Sequence, residues 1–206
     1  MRGWQDSNRR LRNTGSRIDT AMKVESMPSS WRLLSVLGAV MLLLGSTRAQ
    51  ATMAGEYQVK AAFLYNFAKF VEWPPSSFSS ASEALRICIF GRDPFGEELR
   101  NITSAKTVNG HKLEVHGEVD LEHARSCHIL FIASPGETRM KEIVAALRGA
   151  SVLTVGDAKG FAEQGGMINF VLENERVQFE VNRKAAEEAG LKISSKLLSV
   201  ARLVIV

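Results

Sequence analysis

The chain has 206 residues, 45% of them hydrophobic and 23% charged, which excludes a disordered or fibrous protein and leaves room for one well-buried domain plus a tail. The formal charge of +4 would suggest a nucleic-acid partner, yet residues 1–51 alone hold eight of the 26 Lys and Arg and three of the 22 Asp and Glu. Beyond residue 51 there remain 18 basic groups (26 less 8) against 19 acidic ones (22 less 3), so the basicity belongs to the leader and no nucleic-acid partner is expected of the folded part.

The leader has a recognisable order. Met27 is followed by Pro-Ser-Ser-Trp-Arg, then by the apolar run Leu33 to Gly45, then by Ser46-Thr-Arg-Ala-Gln-Ala51, the three parts of a secretory signal with an Ala-x-Ala cleavage site. The run is 13 residues long, against the ~20 that a membrane-spanning helix needs, so cleavage and export are expected rather than anchoring. Residues 1–26 are polar and aperiodic, and the true start is expected at Met27. Arg9-Arg10 lies too far upstream of the apolar run for a twin-arginine signal. The domain division is therefore a leader, residues 1–51, and a single α/β domain, residues 52–206.

The mature part opens with a helix expected over Glu56 to Pro74 and stopped by Pro74-Pro75. Val59, Phe63, Phe67, Phe70 and Val71 form one apolar stripe at helical spacing, and Tyr57, Ala61, Leu64 and Ala68 form a second. A helix apolar on most of its circumference needs cover on more than one side, either all from its own domain or partly from a partner. A Pro- and Ser-rich loop follows, then a buried strand, Leu85 to Phe90, ending at Gly91. Asp93 and Pro94 read as the cap and first position of a helix reaching about Ile102, and Asn109-Gly110 as a turn into a strand at Lys112 to His116.

A third strand is expected over Cys127 to Ile132, and Ser134-Pro-Gly-Glu137 has the capping-box pattern of a helix running to about Leu147. Ser151 to Val155 is the fourth strand. Strands alternating with helices of this length predict a mostly parallel sheet flanked by helices on both faces, a flavodoxin- or Rossmann-like three-layer α/β fold. At its end Met167 to Leu172 and Val177 to Val181 read as an antiparallel hairpin, with Val177, Phe179 and Val181 on one side and Gln178 and Glu180 facing away. Asn182 and Ser194 are expected to cap two last helices, the second running through Leu203.

No constellation of side chains makes a case for catalysis, so no catalytic residue and no cofactor are assigned. Gly91-Arg-Asp-Pro-Phe-Gly96 sits where a strand passes into a helix, but it lacks Gly-x-Gly-x-x-Gly. It reads as capping, or alternatively as a small-ligand pocket using Arg92 and Asp93. His111, His116, His123 and His128 show no helical metal spacing, so no metal is expected. Cys88 and Cys127, the only cysteines, can bond if the first and third strands are neighbours, which favours the strand order 2-1-3. A structural bond, a redox-responsive bond and two buried thiols all remain open readings.

Five stretches in the same order resemble the YfiR family of exported proteins: Tyr57 to Pro74, Ile87 to Gly96, Cys127 to Ile132, Gly165 to Phe170, and Gly190 to Leu198. The resemblance spans about Glu56 to Val204. It implies a periplasmic, often dimeric α/β protein that holds an inner-membrane diguanylate cyclase inactive through that enzyme's periplasmic portion, or that accompanies a related sensor kinase. It matches Cys88 and Cys127 to one family disulfide. A second bond of the best-known members would fall at Ala162 and Asn169, where no cysteine stands. Candidate partner contacts are Glu180 and Arg183 on the hairpin and its following helix, with Tyr57 and Leu64 on the opening helix.

Overall fold

The structure is a computed structural model that describes residues 55–133 and 137–206. The leader, the Met27 start and the Ser134 capping box lie outside these residues. In chain order the elements are α1 (residues 55–70), β1 (Val71–Glu72), β2 (Leu85–Phe90), α2 (Glu97–Thr103), β3 (Thr107–Val108), β4 (His111–Val119), α3 (Leu121–Ala124) and β5 (Ile129–Ile132). Then come α4 (Glu137–Ala146), β6 (Leu153–Gly156), β7 (Ile168–Glu173), β8 (Arg176–Asn182), α5 (Arg183–Glu188), β9 (Lys192–Ile193), α6 (Ser195–Leu198) and β10 (Leu203–Ile205).

One eight-stranded sheet has the order β10-β8-β7-β6-β5-β2-β4-β3, and β1 pairs with β9 in a separate ribbon. As the 2-1-3 order requires, β2 lies between β4 and β5. The sheet is mixed, however, rather than mostly parallel. β4, β2, β5, β6 and β7 run together, whereas β8 runs antiparallel to β7, β10 parallel to β8, and β3 antiparallel to β4. The reversal has a local cause. Asn174 and Glu175 both hold positive φ, 50° and 61°, which is the backbone of a two-residue hairpin turn matched to strand twist. Once β8 has turned back, the return through α5 and α6 adds β10 in the same reversed sense. The expected last helix therefore stops at Leu198, and Val204 and Ile205, whose branched side chains suit a strand, join the sheet edge.

Every residue of β5 and β6 is buried, and their alternate side chains enter two cores. Ile87, Ile89, Ile129, Phe131, Leu153 and Val155 join Ala61, Leu64, Phe67 and Ala68 of α1. Cys88, Phe90, Leu130 and Ile132 join Ala124 of α3 and Met140 and Ile143 of α4. The second apolar line of α1 is thus domain core, with Leu64 0% exposed, which corrects its reading as a docking residue. The first line is the one that emerges: Phe67 is buried, Phe63 partly so, and Val59 is 45% exposed. The helix also ends earlier than its prolines dictate, because Val71 and Glu72 pair with Ile193 and Lys192.

Two locally legible features are in place. The side chains of Asn182 and Ser194 accept hydrogen bonds from the amides of Ala185 and Leu197, capping α5 and α6 as expected. Asp93 instead accepts from the Phe95 amide, and α2 starts only after Gly96.

Truncating Leu64 to Ala should cost about 2–5 kcal/mol, the range for a large aliphatic side chain lost from a closed core. Urea unfolding followed by far-UV circular dichroism checks this, and an unshifted midpoint would contradict the burial of this helix face.

Candidate functional site

Lys60 projects from α1 into a place where only 4% of its side chain meets solvent. Its Nζ lies 2.6 Å from Glu56 Oε1 and 2.7 Å from Asp157 Oδ2, and 4.3 Å from the centre of the Tyr57 ring. Tyr57 Oη donates to the same Asp157 Oδ2 at 2.9 Å. Burial, and then the Asp157 carboxylate, hold the Tyr57 hydroxyl above its usual titration range, so it acts as a neutral donor. Asp157 follows β6 directly, so this group ties the first turns of α1 to the carboxyl end of a central strand. Tyr57, expected as a partner contact, is half-buried and engaged here.

A second ionic group lies alongside, on the neighbouring strands β7 and β8. Glu180 on β8 is only 7% exposed, which corrects its placement on an exposed arm. Its Oε1 lies 2.7 Å from Arg202, whose Nε lies 3.0 Å from Glu173, and its Oε2 accepts from Asn169 Nδ2 at 3.1 Å. Alternation assigns Glu180 to the face opposite Phe179, but the side chain of Arg202, 22 residues further on, covers it. Arg183 is exposed and spans one helical turn to Glu187 at 2.7 Å. Of the four candidate contacts, only Arg183 is freely presented.

The exposed apolar side chains lie elsewhere. Val59 on α1, Leu172 on β7 and Leu203 on β10 are 45%, 53% and 45% exposed. Phe63, one turn after Val59, meets Phe179 and Phe170 with ring centroids 5.4 and 6.0 Å apart, so α1 and the β7–β8 hairpin form one continuous ridge. The signal in sequence was the first apolar stripe of α1. Its N-terminal end, at Val59, faces solvent among the described residues.

Arg92 lies on a cleft of about 510 Å³ at the carboxyl ends of β2, β4 and β5, shared with Gly91, Val119, Ala133 and Arg139. Asp93 does not line it. Its carboxylate serves the Phe95 amide at 2.8 Å and faces Arg100 at 3.5 Å.

The histidines divide by environment. His128, 2% exposed, stacks on Phe78 at 4.4 Å, and Phe78 stacks on His111 at 3.9 Å from its other face. His128 Nδ1 accepts from the Arg86 amide at 3.0 Å, while Nε2 faces the Ser77 carbonyl at 3.1 Å, the arrangement of a neutral imidazole with its proton on Nε2. Burial, then the Arg86 charge, push its pKa below the ordinary value. This stack holds the loop after α1 against β2.

Cys88 and Cys127 form a disulfide with Cα atoms 6.0 Å apart, joining β2 to the turn before β5 across 39 positions. The YfiR/HmsC-like family profile (DUF4154) matches residues 57–202. The chain belongs to the YfiR/HmsC-like family. That family is one of regulatory, non-enzymatic proteins associated with cyclic-di-GMP signalling. No curated protein matches the sequence. Among solved structures, a conserved domain protein from Vibrio cholerae shares 14% identity at a TM-score of 0.42, over 58% of this chain and 54% of that one. The ABC domain from Streptococcus pneumoniae, solved in complex with L-Trp, shares 11% at a TM-score of 0.42, over 63% and 57%. The chain thus spans just over half the length of each.

At Ala162 and Asn169, the two positions the resemblance singled out for a second bond, polar contacts stand instead. The Ala162 carbonyl accepts from Asn182 Nδ2 at 2.8 Å, and Asn169 reaches Glu180. Among the described residues no helix is long and apolar enough to cross a membrane.

Replacing Lys60 with Met leaves two buried carboxylates side by side and should cost about 3–5 kcal/mol; adding Glu56→Gln and Asp157→Asn should recover most of it. Urea unfolding of the single and triple variants measures both. For His128 the sign is fixed by its depressed folded pKa. The unfolded chain takes up the proton near pH ~6.5 and the folded site resists, so stability falls as the pH drops through and below that value. Midpoints at neutral and mildly acidic pH should converge in His128→Gln, and an unchanged pH dependence would contradict the assignment.

Proposed function

We propose that this protein is a periplasmic regulatory binding protein that represses an inner-membrane diguanylate cyclase, or a related membrane sensor kinase, by protein contact and so lowers cyclic-di-GMP signalling. The family match over residues 57–202 carries this reading. The arrangement of polar groups supports it. The most deeply buried charges, Lys60 and Glu180, are spent on holding elements together, while apolar side chains on the α1–hairpin ridge are left facing solvent. The docking surface is this ridge, with Val59 and Leu172 at its exposed end and Arg183 at the foot of the hairpin. A homodimer using part of the same surface belongs to this reading, as the resemblance implies. The flavodoxin-like layering and the signal peptide belong to the same reading: a rigid exported body that presents one face to its partner.

A second reading has its own observation. The 510 Å³ cleft at the carboxyl ends of the parallel strands, with Arg92 and Arg139 at its wall, is where open α/β sheets take small ligands. A small-ligand sensor would use it to bind a small polar ligand between these arginines and Glu118 and Asp120 on the same wall, and Arg92→Ala would abolish saturable binding.

Deleting the gene should raise cellular cyclic-di-GMP, and complementation with Val59→Asp/Leu172→Asp should fail to restore it. Both side chains are exposed, so the variant should unfold within about 0.5 kcal/mol of the wild type per site. Unchanged cyclic-di-GMP on deletion, with no membrane protein recovered by cross-linking, would remove the repressor reading.

A further inference from the structure

We infer that residues 73–84 form an acid-released latch, held closed by a side chain, His128, whose ring has no place for a second proton. The segment lies between two anchors: β1 ends at Glu72, paired with Lys192 of β9, and β2 begins at Leu85. Between them it makes one short helical turn, Pro75–Ser77, that contains no buried residue. Three of its contacts with the sheet end on His128. The Ser77 carbonyl faces Nε2 at 3.1 Å, the Phe78 ring stacks on the imidazole at 4.4 Å, and the Trp73 indole donates to the His128 carbonyl at 3.2 Å. On its other side Nδ1 accepts from the Arg86 amide at 3.0 Å, while the His128 amide donates to the Arg86 carbonyl at 2.9 Å. The side chain thus completes the β2–β5 ladder one residue before β5 begins.

The polarity of these partners decides what an added proton does. An imidazolium carries a donor on both nitrogens. Nε2 already meets a carbonyl, but a proton on Nδ1 would point at the Arg86 N–H, donor against donor, and Arg86 is fixed because its carbonyl is held in the same ladder. Charge adds to the conflict. Arg86 of β2 faces the ring, His111 of β4 lies across Phe78, and Arg125 lines the cavity beside His128; Glu83, 2.6 Å from Arg86, is the opposing carboxylate. That cavity, about 240 Å³ and walled by Ser76, Arg125, Ser126 and Ser151, gives the cation a way out. A ring that swings into it reaches water and hydroxyls, and it leaves Ser77 and Phe78 without their partner. The Cys88–Cys127 bond still joins β2 to the turn before β5, so the opening is confined to the segment. The released ring titrates near pH ~6.5 and the closed one lower, so the open population rises about tenfold per pH unit below that value until the latch is released.

The latch stands on the surroundings of His128 and holds whatever partner the protein meets. Amide hydrogen exchange of the purified full-length protein between pH 8 and pH 5, corrected for the intrinsic rate, tests it. Exchange at Ser77, Phe78 and Arg86 should accelerate together, about tenfold between pH 6 and pH 5, while Val155 in β6 keeps its protection. His128→Gln, which offers an acceptor and a donor but takes no proton, should abolish the step, and His111→Gln should retain it. If His128→Gln does not fold, Phe78→Ala decides: it should open the same amides about tenfold at pH 8 through loss of the stack. Protection unchanged down to pH 5, equal loss in β6, a step that survives His128→Gln or vanishes in His111→Gln alone, or unaltered exchange in Phe78→Ala would overturn the proposal.

Discussion

β5 and β6 present no exposed side chain on either face, and that constraint organises the rest of the domain. Strands closed on both sides need two covers. One comes from α3 and α4 and is stapled from within by the Cys88–Cys127 bond, which joins the neighbouring strand β2 to the turn preceding β5. The other comes chiefly from α1, the first described element of the chain. Laying α1 over the carboxyl end of β6 carries Lys60 out of water, and an ammonium there is tolerable only with close carboxylates. Glu56 and Asp157 supply them. The pairing sets where α1 lies along the sheet more than it adds stability, since the attraction largely offsets the cost of drying three charges.

What could be read in the sequence, and what could not, divides by range. Asn182 and Ser194 were legible as caps because capping involves residues three positions apart. β2, β5 and β6 were legible as short apolar runs, and the hairpin by its alternation. The reversed edge was not. β10 is three residues long, follows a stretch with helical signals, and takes its conformation from pairing with β8. The two-residue strands β1 and β9 depend on each other across the whole domain. Glu180 shows the limit within a single strand. Alternation assigned it to the correct face, opposite Phe179, but whether a face is wet depends on what crosses it, and Arg202 lies 22 residues away. α1 posed the same difficulty in another form. Both of its apolar lines satisfied the helical period, and only tertiary contact shows that Leu64 of one and Phe67 of the other are both inside, Phe67 stacked on Phe170 and edge-on to Phe179, while Val59 faces solvent. The family resemblance rested on five ordered stretches and needed none of these distinctions.

Buried polar groups and exposed apolar ones meet at a single residue, Leu172. It belongs to the solvent-facing end of the α1–hairpin ridge, and it also lines the cavity that carries Asp157, Asn169 and Glu180. The strand pleat accounts for the meeting. Asn169 and Glu180 stand opposite each other on one face of the β7–β8 hairpin, where Arg202 covers Glu180, while Phe170 and Phe179 stand opposite each other on the other face, where α1 covers them. Leu172 lies beyond the reach of either cover, so the hairpin's last turn is the part of β7 left apolar and wet.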